Sequence, residues 1–142
     1  MITSFSHIYY RVPDVEKAFD WYSNVLGFKV LRKYSMGGRV SGYCTLAGVL
    51  LELTQLAEGT VYPPGHRVLG LTVDNMDATL ADLQAKGVEL VDPPFDARTF
   101  WGRQAVIKDP FGYLVSLREW AAPDGPEYPD WQPKHEGVTR LV

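Results

Sequence analysis

From residue 7 onward the chain alternates. In HIYYRV, Ile8, Tyr10 and Val12 fall on one side of an extended strand and His7, Tyr9 and Arg11 on the other, which predicts a core face and a face carrying polar chemistry. Asp14 can then cap a helix whose Ala18, Trp21, Tyr22 and Val25 recur three or four apart as a buried stripe, and Gly27 stops it. Phe28 to Leu31, Val40 to Leu46 and Val49 to Leu53 read as further strands, with turns at Gly37-Gly38 and Gly48 and with 32–40 and 54–66 as loops. The order is β-α-β-β-β.

The same order returns in VLGLTVDNMDATLADLQAKGVELV. A strand leads to a capped helix with Met76, Leu80 and Leu83 in register, a glycine stop at Gly87 and another strand, and GYLVSL at 112–117 matches GVLLEL at 48–53. Only two helical patterns accompany about eight strand-like runs, so an α+β fold with helices on one side of the sheet fits better than parallel βαβ alternation. The predicted modules span about 1–57 and 66–120 within one domain of 1–122. The proline-rich tail at 123–142, with Tyr128 and Trp131, reads as an extension packed on a cavity mouth or a second subunit, or as disorder.

Composition narrows the partners. With 142 residues and 46% hydrophobic content, the chain can bury a core of its own. Its net charge is −3 and it has no Lys/Arg cluster, which argues against nucleic acid and for a small molecule. The single cysteine, Cys44, forms no internal disulfide, and neither a signal peptide nor an apolar stretch long enough for a membrane span stands out, so a cytoplasmic location is expected.

The stretches HIYYRVPDVEKAFDWYSNVLGF, LLEL, LTVDNMDATLADLQAKG and WGRQAVIKDPFGYLVSL, in that order and spacing, resemble the vicinal oxygen chelate superfamily of glyoxalases, bleomycin-resistance proteins and extradiol dioxygenases, over roughly residues 5–120. The resemblance implies paired β-α-β-β-β modules forming a curled sheet around a cavity, commonly in a homodimer. It also implies metal-ligand positions on the first and last strands of each module. These fall here on His7 and Glu52 in the first module and on Val68 and Ser116 in the second, so two of four carry ligand chemistry.

A divalent ion held by protein needs three or four N/O donors. His66, two residues before Val68, is the candidate third ligand. With His7 and Glu52 it would make a two-histidine-one-carboxylate set for Fe, Mn, Ni or Zn, although two residues of strand is a displacement of about 6–7 Å. Without metal, His7 and Glu52 form a hydrogen-bonded or proton-handling pair. Tyr9, Arg11 and Tyr43 face the same side. Trp101 is placed to stack on a planar ligand or to pack at an edge, and Arg98 and Arg103 to fork onto a carboxylate or to remain solvated. Ser116 joins the candidate ligand-binding residues, while Glu119, three positions on, points the other way and reads as structural.

Two functions follow. The favoured one is a glyoxalase-like lyase or isomerase with an incomplete or atypical metal site and His7 and Glu52 as catalytic groups; extradiol ring cleavage fits less well, because Val68 and Ser116 replace its iron ligands. The alternative is a metal-free protein of the bleomycin-resistance type that binds an aromatic ligand or antibiotic, in keeping with 13% aromatic residues.

Overall fold

The structure is a computed structural model and describes residues 1, 3–60, 68–97, 101–121, 137, 139 and 141. It divides into two compact units, Met1–Pro63 and Pro64–Val142. In the first, strand β1 (Ile8–Val12) leads into helix α1 (Val15–Asn24), followed by β2 (Lys29–Met36), β3 (Arg39–Leu46) and β4 (Val49–Gln55). The sheet order is β1-β4-β3-β2, with β1 parallel to β4 and the other pairs antiparallel.

Helix α1 starts where the sequence places a cap. The Asp14 carboxylate accepts from the Lys17 backbone N–H at 3.0 Å, and the Gln55 side-chain oxygen accepts from Val15 N–H at 2.9 Å, so β4 braces the helix start as well. The helix buries Val15, Ala18, Phe19 and Tyr22 against Tyr10, Val12, Cys44, Leu51 and Leu53. Each large aliphatic or aromatic side chain so buried contributes on the order of 1.5–3 kcal/mol. Strand β2 extends five residues past Leu31, where the sequence reading placed a loop. Its exposed Arg32, Lys33, Tyr34 and Ser35 lack the apolar alternation that marks a half-buried strand, because β2 is an edge.

Cys44 lies fully inside this core, and burial pushes its thiol up to about 12. At pH 8 a disulfide reagent such as DTNB is therefore expected to label Cys44 only as the protein unfolds. Rapid labelling of the native protein would contradict that burial.

The second unit repeats the plan with β5 (Val68–Thr72), α2 (Met76–Ala85), β6 (Glu89–Asp96), β7 (Gly102–Lys108) and β8 (Leu114–Trp120), in sheet order β5-β8-β7-β6. Its cap is Asn75, which accepts from Ala78 N–H at 2.9 Å, and Met76 N–H donates to the Glu119 carboxylate. Glu119 thus does for α2 what Gln55 does for α1. Met76, Leu80 and Leu83 are buried with Ala105, Ile107, Val115 and Leu117, in the register read from the sequence. At the Asp109–Gly112 turn, the buried Asp109 carboxylate accepts from Phe111 and Tyr113 N–H at 2.8 Å each. Among the described residues, no helix is long and apolar enough to cross a membrane.

Candidate functional site

The first unit's sheet is covered by α1 on one face and presents polar and aromatic side chains on the other. Tyr10 and Val12 are buried, while Tyr9 and Arg11 are exposed. Register assembles the open face. Glu52 pairs with Tyr9 on one side and Tyr43 on the other, and Arg32 and Tyr34 lie opposite Tyr43 and Ser41. Partners in register share a face, so side chains from the three other strands gather around one carboxylate on β4.

Both Glu52 oxygens are engaged. Oε2 lies 2.9 Å from His7 Nε2, and Oε1 accepts from the Tyr34 hydroxyl at 2.9 Å. His7 Nδ1 lies 2.8 Å from Ser6 Oγ, so a neutral imidazole that donates from Nε2 and accepts from the serine is fully satisfied. Around this chain, the His7 ring meets Tyr43 edge-on at 5.7 Å and Tyr9 at 6.4 Å, and Arg32 lies over the Tyr43 ring at 4.8 Å. A carboxylate on a leucine-rich strand is costly to enclose unless it is satisfied, and two donors satisfy it.

The hydrogen bond to Glu52, then burial and the Glu52 charge, push the Tyr34 phenol up to about 12. A phenol whose pKa is higher folded than unfolded stabilises the fold below the unfolded value near 10, and that contribution is lost as pH rises through about 12. In a titration followed at 295 nm, the phenolate absorbance that develops near pH 12 is expected to fall by one tyrosine in Tyr34→Phe. An unchanged amplitude there would place the shifted phenol elsewhere.

Among the described residues, recesses open on this face. One, of about 340 Å³, is lined by Ser6, His7, Leu31, Arg32, Tyr43 and Leu50. Another, of about 190 Å³, lies around Tyr9, Arg11, Arg39, Ser41 and Thr54.

The structure thus brings His7, Glu52, Tyr9, Arg11 and Tyr43 onto one face of the first unit. In the second unit, Arg103 makes a bidentate pair with Asp77 at 2.9 and 3.1 Å, which holds the Asp77 carboxyl below the usual range. Ser116 is buried beside Gly70 in register, and its hydroxyl has no partner among the described residues. Trp101 is 44% exposed at the start of β7, and its carbonyl accepts from Ala121 N–H at 2.7 Å. His66 and Arg98 lie outside the described residues. Tyr34, Arg32 and Arg39 are absent from the sequence-derived site. The usable signal was the Gly37-Gly38 turn, which folds LRKYS back on VSGYC and sets Tyr34 opposite Ser41.

The sequence matches the Glyoxalase/Bleomycin resistance protein/Dioxygenase superfamily over residues 4–117. The chain belongs to this superfamily. A relative named as a probable lactoylglutathione lyase of Vibrio cholerae is 30% identical over 123 residues, covering 78% of this chain and 86% of its own. TnmS3, an antibiotic binding protein from Streptomyces sp. CB03234, is 31% identical with a TM-score of 0.64, covering 84% of this chain and 100% of its own. The crystal structure of SMU.1112c, 22% identical, shares the fold with a TM-score of 0.71 over 84% of this chain and 100% of its own.

The described residues do not make a site for a tightly held divalent ion. Among them no three His, Cys, Asp or Glu side chains group together, and the candidate donors His7 and Glu52 are already bonded to each other and to Ser6 and Tyr34.

Proposed function

We propose that the protein binds a small planar organic molecule against the open face of its first unit, without a resident metal. The observation that carries this reading is the saturation of Glu52 by His7 and Tyr34 within a wall of rings made by His7, Tyr9, Tyr34 and Tyr43. Side chains so engaged present ring surface rather than ligand lone pairs, and stacking on them is worth about 0.5–1.5 kcal/mol per aromatic pair beyond area burial. The likeness to an antibiotic binding protein supports a binding role toward an organic ligand. Binding within a homodimer in the cytoplasm, by a single domain of 1–122, belongs to this reading; light scattering tests the assembly.

The test is calorimetric titration with a neutral planar probe, anthracene-2-carboxamide, after exhaustive treatment with EDTA. Micromolar affinity unaffected by the chelator and reduced about tenfold by Tyr43→Ala is expected. Affinity that appears only after a divalent ion is restored would overturn the metal-free reading.

A second reading rests on the same 2.9 Å contact. His7 and Glu52 can pass a proton between a bound substrate and the carboxylate, and the Vibrio cholerae relative carries a lyase name. Formation of S-lactoylglutathione from methylglyoxal and glutathione, abolished by His7→Ala, would establish the enzyme.

A further inference from the structure

Ser6 Oγ lies 2.8 Å from His7 Nδ1, and the other ring nitrogen, Nε2, lies 2.9 Å from Glu52 Oε2. The carboxylate accepts from Nε2–H, so Nδ1 carries the lone pair and the serine hydroxyl donates to it. Tyr34 donates to Oε1 at 2.9 Å and fixes the far end of the series. Hydroxyl, imidazole and carboxylate in this order activate a serine as a nucleophile, and the arrangement is recognised by geometry rather than by the order of residues along the chain. Exposure falls along the series as that chemistry needs: Ser6 is exposed, the His7 side chain is 29% exposed and that of Glu52 13%. The hydroxyl can meet a substrate while the carboxylate that holds the imidazole stays mostly enclosed.

Ser6 and His7 both line the recess of about 340 Å³, where Leu31, Leu50 and the Tyr43 ring offer apolar surface and Arg32 brings a cation able to receive an oxyanion. We infer that this unit has an activity beyond binding: Ser6, His7 and Glu52 hydrolyse small carboxylic esters by acyl transfer through Ser6. The Ser6 oxygen attacks the ester carbonyl carbon and its proton passes to His7 Nδ1, while Glu52 steadies the imidazolium that forms. The tetrahedral oxyanion then collapses, the bond to the leaving oxygen breaks, and that oxygen departs as an alcohol or phenol with the proton from Nδ1. Water attacks the acyl-serine in the same way, giving a proton to Nδ1; the carboxylic acid leaves and the proton returns to Ser6. Ester and water become acid and alcohol, and no other reactant is needed.

The experiment gives 4-nitrophenyl acetate to the full chain at pH 7.5 and follows release of 4-nitrophenolate. Repeated turnover is expected, with an acetyl group on the peptide that carries Ser6 when the reaction is quenched in acid and read by mass spectrometry. Ser6→Ala should lose both at an unchanged melting temperature, and His7→Ala should lower kcat by about a hundredfold. Glu52 is a positioning residue here, since it acts through His7. In Glu52→Gln the amide oxygen still accepts from Tyr34 and the amide N–H faces Nε2, which moves the ring proton to Nδ1 and leaves Ser6 without an acceptor. That variant should therefore lose about a hundredfold in kcat with KM unchanged. Full turnover by Ser6→Ala, or acetyl groups confined to lysines, would overturn the role of Ser6. Full kcat in Glu52→Gln would overturn the series. No ester turnover by the unaltered chain would overturn the inference and leave the binding reading, which is measured with the carboxamide, standing.

Discussion

Gly42→Ala is expected to cost about 3 kcal/mol or more of folding stability, a large effect for one added carbon. A Cβ built at Gly42 would lie 2.3 Å from the Arg32 carbonyl oxygen, 2.8 Å from Phe19 Cζ and 3.0 Å from Lys33 Cα. Two of these atoms are backbone of the neighbouring strand, so β2 and β3 would have to separate, and Phe19 is 1% exposed with little room to turn. Gly70→Ala is the control, since a Cβ there meets nothing within 4 Å and should change stability by a few tenths of a kcal/mol. Urea denaturation of the two variants beside the unaltered chain decides it. A Gly42→Ala midpoint indistinguishable from the parent would mean that the β2–β3 contact is looser than described.

Glu52→Ala is expected to have the larger effect on function. It strips the partner from the Tyr34 hydroxyl and from His7 Nε2 at once, so neither ring is held in place by its hydrogen bond. The rings those bonds hold are the ones proposed to meet the ligand. Affinity for the neutral probe should therefore fall by tenfold or more, and the Tyr34 phenol should ionise nearer its ordinary value of 10.0. Glu52→Gln separates the two readings of the site. An amide can accept from Tyr34 and still bond to His7, so a binding protein should keep most of its affinity, whereas an enzyme that uses the carboxylate as a base should lose turnover. Unchanged probe affinity in Glu52→Ala would show that the ligand lies elsewhere.

Most of the scaffold was legible in the sequence because it is written in periodicities. The alternation from Ile8 to Val12, the stripe through Ala18 and Tyr22, and the second helix with Met76, Leu80 and Leu83 all describe burial on one face, and burial is what hydropathy patterns report. Glu119 was correctly turned away from Ser116 by alternation alone, and the structure adds its partner, Met76 N–H. The His7–Glu52 contact followed from parallel strands that carry both residues on one face. Tyr34 escaped for the opposite reason. It lies on an edge strand whose residues are exposed, where no apolar rhythm distinguishes a strand from a loop. Arg103 could be read as a ligand fork because its strand was known but its partner, Asp77 on a helix start far along the chain, leaves no local mark.

The parallel pairing of β1 with β4 also bears on how the site comes into being. Strands β2, β3 and β4 follow one another through tight turns and can zip together locally, whereas β1 must wait for β4, the last strand of its unit, to exist as a template. His7 reaches Glu52 only in that closing step. The face proposed to meet the ligand is therefore expected to assemble last, and a chain with only its hairpins formed would have much of its sheet without the His7–Glu52 contact.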